Sequence, residues 1–105
     1  MSLLVVLSTF PDAAAARVAA EILVGESLAA CVNIVPGMES IYRWKGKLES
    51  SGEVLAILKT TAERYPALEQ RLRELHPCEV PEIVALPAAA VVESYLEWVD
   101  RNTQA

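Results

Sequence analysis

A chain of 105 residues that is 53% hydrophobic, with mean hydropathy +0.31, predicts one domain over residues 1–105 and more apolar surface than a monomer of this size covers. Its 9 basic and 14 acidic residues give a net charge of −5 with no basic stripe, which argues against nucleic-acid binding, and its apolar runs fall short of the ~18 residues of a membrane span. Cys31 and Cys78 form no CxxC pair, and the stretch from Met1 to Leu7 lacks the basic start and cleavage site of a secretory leader, so free thiols in a cytoplasmic protein are expected.

Leu3 to Thr9 is nearly continuous apolar and β-branched, the pattern of a central strand. Phe10-Pro11-Asp12 ends it, and Asp12 or Thr9 can cap a helix over Ala13 to Glu26 whose apolar stripe is Ala15, Val18, Ala19, Ile22 and Leu23. Cys31 to Thr60 then predicts two unusually long strands joined at Lys45-Gly46, where glycine supplies positive φ. Pro36-Gly37 interrupts the outgoing strand and predicts a bulge or bend, because proline survives in a sheet only at an edge or irregularity. Tyr42 and Trp44 share one face near the tip. On the return strand Val54, Ala56 and Leu58 form one apolar face while Leu55, Ile57 and Lys59 form the other.

Tyr65-Pro66 starts a second helix with Leu68, Leu72 and Leu75 on its inner side, and His76-Pro77 stops it. Val80 to Leu86 predicts a short edge strand, and a closing helix carries Tyr95, Leu96, Trp98 and Val99. The order β-α-β-β-α-β-α is an α+β, ferredoxin-like βαββαβ sandwich with an extra C-terminal helix and a long hairpin between its second and third strands. Both main helices cover one sheet face. The last helix is too short to cover the other, so self-association through that face and through the hairpin arms is expected, with Tyr42 and Trp44 as interface residues.

Five blocks, Leu28-Ala-Ala-Cys31-Val-Asn-Ile34, Tyr42-Arg-Trp-Lys-Gly-Lys47, Leu58-Lys-Thr60, His76-Pro-Cys-Glu-Val-Pro-Glu-Ile83 and Tyr95-Leu-Glu-Trp98, resemble the signature blocks of the CutA (divalent cation tolerance) proteins. The resemblance spans essentially the whole chain. It implies a homotrimer whose hairpins pair across subunits, similar in architecture to the PII signalling proteins, and a role in tolerance of copper and other divalent metals. The chain departs from the pattern at Cys78, where tyrosine is usual. It departs again at Ser8, which matches a cysteine tied to copper in some bacterial members.

His76, Cys78, Glu79 and Glu82 place imidazole, thiol and carboxylates within seven residues, a donor set for copper or another divalent cation, with His76 as the first ligand expected. The plainer alternative makes His76 a helix C-cap and Cys78 a filler of the tyrosine's space. Glu53 and Lys59, with Glu49, Glu79 and Glu82, are expected in a cleft between subunits, either as a small-ligand or ion site of a PII-like sensor or as ion pairs that register the trimer. Cys31 reads as a buried small hydrophobe. Arg17 and Asn33 invite comparison with the acylphosphatases, but an arginine inside a helix cradles no phosphate. One histidine and four scattered glycines give neither a catalytic triad nor a phosphate loop, so an enzyme is not expected.

Overall fold

The computed structural model describes residues 2–105; Met1 lies outside the described residues. β1 (Leu3–Phe10) pairs antiparallel with β3 (Lys47–Thr61) on one side and β4 (Ile83–Pro87) on the other, the central position that its nearly continuous apolar run suits. β2 (Cys31–Trp44) adds outside β3, giving the sheet order β2-β3-β1-β4. α1 (Ala13–Gly25) starts where Asp12 accepts a 2.8 Å hydrogen bond from the Ala15 amide. α2 (Tyr65–Leu75) begins with Pro66 in its first turn, and α3 (Glu93–Arg101) closes the chain.

Both long helices pack on the face carrying Val6, Phe10, Val54, Ala56 and Leu58, and they contribute Ala16, Ala19, Leu23, Leu68 and Leu72 to one core. The inner face of α1 differs from the expected stripe: Ala16 is buried and Val18 is 59% exposed. Almost every position of this helix is apolar, so burial follows how closely the backbone approaches the sheet, and small alanines allow the nearer approach. On the opposite sheet face α3 covers only one end, seating Val99 against Leu3 and Ala30 with Val5, Tyr95 and Leu96 around them. Val35, Val84 and Leu86 keep 43 to 47% of their surface exposed on the rest of it.

The hairpin carries the architecture beyond the helices. Lys45 and Gly46 both have positive φ, 50° and 80°, the two-residue reversal that suits twisted strands, with Trp44 paired to Lys47 across it. The bulge falls at Pro36-Gly37: Val35 pairs with Leu55 but Met38 pairs with Glu53, so β2 holds one extra residue, with Gly37 at φ 80°. The extra residue inverts the alternation of β2. Before it the odd residues Cys31, Asn33 and Val35 share the face of Lys59, Ile57 and Leu55; after it Met38, Ser40, Tyr42 and Trp44 take that face, opposite Glu53, Ser51, Glu49 and Lys47.

The last strand is shorter at its start than the sequence predicts. It runs from Ile83, paired to Ser8, because Pro81 has no amide to donate and the Cys78 amide is turned toward the His76 ring.

Tyr95 accounts for a pH dependence. Its hydroxyl lies 3.3 Å from Cys31 Sγ, and burial, then the hydrogen bond to Cys31 and the thiol's charge, push the phenol up to about 12 from its usual 10. A folded pKa above the unfolded one means the unfolded chain loses this proton first. The contribution is therefore complete below pH 10 and is lost as pH rises from 10 through about 12. Thermal melts across that range should show a steeper alkaline decline in the wild type than in Tyr95→Phe; parallel declines would remove Tyr95 as the cause.

Candidate functional site

One cleft of about 640 Å³ opens where the sheet ends and the hairpin arm continues alone. Thr9 at the end of β1, Glu53 on β3, and Tyr42 and Trp44 beyond the bulge form one side, and His76, Cys78, Glu79 and Glu82 from the segment between α2 and β4 form the other. Sequence spacing already grouped the last four residues. Glu53 joins them because Phe10 brings the end of α2 onto β1, and the aromatic pair joins because the bulge turns it to the same face as Glu53.

His76 holds this arrangement together. Its ring stacks on Phe10, with centroids 4.4 Å apart and planes at 25°, and only 8% of the residue is exposed. Nε2 donates to the Thr9 carbonyl at 2.7 Å, and Nδ1 accepts from the Cys78 amide at 3.1 Å. Donating at one nitrogen and accepting at the other describes a neutral imidazole with no free lone pair. In this arrangement both ring nitrogens expected as metal donors are engaged in hydrogen bonds, and the ring ties the segment from Cys78 onward to the end of β1. The cap reading is also changed, since only the backbone amide of His76 bonds the helix, at the Leu72 carbonyl, while its ring reaches 67 residues back.

Cys78 is exposed at the cleft, and its thiol is pushed up by burial and then by the charge of Glu53, so at neutral pH it remains protonated and a poor soft ligand. Glu53, Glu79 and Glu82 form no ion pair among the described residues, where the recorded bridges are those of Arg71 to Glu26 and Glu74. Among the same residues no group of three or more His, Cys, Asp or Glu side chains converges as a metal shell. The lining of the cleft contains no lysine or arginine.

Within one chain Lys59 does not join Glu53. The two stand six residues apart on one strand face, roughly 20 Å, and Lys59 instead donates to Asn33 Oδ1 beside the Cys31–Tyr95 pair. Asn33 therefore lies on the open sheet face, away from Arg17 on the exposed side of α1, and the acylphosphatase comparison has no site behind it. Cys31 is only half-buried, and its thiol meets the Tyr95 hydroxyl. Thr9, Ser40, Ile41 and Val80 complete the lining; a β1 carbonyl that meets a histidine far along the chain leaves no sequence signal.

Ser8, the position that the family resemblance matches to a cysteine, lies apart from the cleft. It is fully buried on the helix-covered face between Ala56 and Ile83, and its hydroxyl has no partner among the described residues. An unsatisfied buried hydroxyl costs about 1 to 3 kcal/mol, so Ser8→Ala is expected to raise the denaturant midpoint with unchanged m-value. A lowered midpoint would show that the hydroxyl is satisfied in solution.

A four-stranded antiparallel sheet in this order, with two helices on one face, defines the ferredoxin-like α+β class. The chain belongs to the CutA1 divalent ion tolerance protein family, whose model matches residues 4–102. It is 52% identical over 99 residues to the divalent-cation tolerance protein CutA of Thermus thermophilus, covering 94% of this chain and 96% of that protein. It is 43% identical over 101 residues to the chloroplastic CutA protein of Arabidopsis thaliana, covering 96% of this chain but spanning only 56% of that longer relative. The crystal structure of CutA from Xylella fastidiosa superposes with a TM-score of 0.96 at 36% identity, covering 99% of this chain and 100% of that one.

Proposed function

We propose that this protein supports divalent cation tolerance as a cytoplasmic, one-domain homotrimer that binds divalent metal weakly in the cleft, through the carboxylates of Glu53, Glu79 and Glu82. One observation carries this reading: three carboxylates with no ion-pair partner among the described residues face one cleft whose lining holds no lysine or arginine. Oxygen donors suit hard and borderline cations, copper(II) among them, and their spread fits outer-sphere binding through water. Affinity is on the order of 0.1 to 1 mM, the range of sites with few rigid protein ligands. The trimer reading is supported by the arm, where Ile41 is 68% and Leu48 75% exposed, and by two free sheet edges, β2 and β4.

Calorimetric titration with copper(II) and with manganese(II), with oligomer mass measured in each sample, tests this. Glu53→Gln and Glu82→Gln are expected to weaken binding several-fold while the mass stays constant. Absence of binding by either ion in the wild type would reject the metal reading. A PII-like ligand or interaction site between subunits is the second reading, favoured by the aromatic wall of Tyr42 and Trp44, which a metal ion does not use.

A further inference from the structure

The charge of the cleft is spread out. Glu53 comes from β3 and Glu79 and Glu82 from the segment before β4, and no three donors there converge on one point. A metal ion gains most where several oxygens meet at about 2.0 to 2.6 Å. Carboxylates distributed along an aromatic-walled groove match a different cation, one whose charges are separated by apolar links. Each ammonium then meets a carboxylate while the methylenes lie along the rings.

A further observation agrees. Trp44 already acts as a cation acceptor, because the Lys45 ammonium lies over its ring at 5.8 Å from the centroid. A volume of about 640 Å³ is enough for a linear triamine or tetraamine and far exceeds what one ion needs. We propose that the cleft bounded by Trp44, Tyr42, Glu53, Glu79 and Glu82 binds linear aliphatic polyamines, with the ammonium groups on the carboxylates and the methylene chain against the rings. This rests on the cleft being the cation site of the protein and names a second class of cation for it.

The test is calorimetric titration of the full chain with putrescine, spermidine and spermine, and separately with manganese(II), in about 0.15 M salt to screen diffuse attraction. One saturable site per chain is expected, with affinity rising roughly three- to tenfold for each added ammonium. Glu53→Gln and Glu82→Gln should weaken spermine binding, whereas Glu21→Gln on the exposed side of α1, with the same change in net charge, should not. Equal weakening by Glu21→Gln, or affinity independent of chain length, would overturn the proposal. Manganese binding without polyamine binding overturns it and leaves the metal reading standing. Polyamine binding without any metal binding does the reverse, and absence of both removes the cleft as a cation site.

Discussion

Phe10→Ala is expected to lower stability by about 3 to 5 kcal/mol, the cost of truncating a fully buried aromatic side chain. Phe10 is 1% exposed, belongs to the core under α1 and α2, and stacks on His76. Small proteins hold a total of only about 5 to 15 kcal/mol, so the denaturant midpoint should fall by a large fraction. The same substitution should weaken cation binding, because His76 loses the ring that orients its bonds to Thr9 and Cys78. His76→Ala separates the two effects: it leaves the core aromatic in place and releases only the wall of the cleft. Val18→Ala is the contrast. At 59% exposure it should change stability by less than about 0.5 kcal/mol, although its place in the sequence pattern is that of a core residue. A large loss at Val18 with a small one at Phe10 would mean that α1 sits on the sheet by another face.

That contrast shows where the sequence is informative. Local features are legible because their chemistry is local: Asp12 at a helix start, Lys45-Gly46 at a two-residue reversal, Pro36-Gly37 at a bulge, and the apolar run of β1 flanked by two strands. The face of α1 is not legible, since an alanine-rich helix has too few polar residues to mark its solvent side. The His76 segment is half legible. Its residues stand together in the chain, but the ring's role depends on a carbonyl 67 residues away, which no spacing encodes. Charge alone groups Lys59 with Glu53 in a cleft between subunits, and within one chain six residues of strand separate the two. The family resemblance gives the fold but not whether Ser8 and Cys78 share a site; Ser8 is buried in the sheet and Cys78 is exposed at the cleft, which Ser8 does not line.

Gly37→Val should disable the cleft while Gly37→Asn leaves it nearly intact. No atom lies within 4 Å of a Cβ built on Gly37, so side-chain size meets no obstacle there, and the constraint is the φ of 80° alone. Asparagine adopts left-handed backbone readily, whereas a β-branched residue is a true outlier there, at a cost of about 1 to 3 kcal/mol. The valine chain can relieve that strain by giving up the bulge and running β2 as a regular strand, shifted by one residue against β3. The shift moves every side chain beyond Val35 to the opposite face, so Tyr42 and Trp44 leave the side of Glu53 and Ile41 and Arg43 replace them. The carboxylates of the cleft would remain while its aromatic wall disappears. Tryptophan fluorescence should therefore change in Gly37→Val, and spermine binding should fall at least as far as in Glu53→Gln, with manganese binding less affected. In Gly37→Asn both readouts should stay near wild type. Were asparagine the more damaging of the two, space rather than backbone angle would govern this position, and the parity inversion that builds the cleft would lose its physical basis.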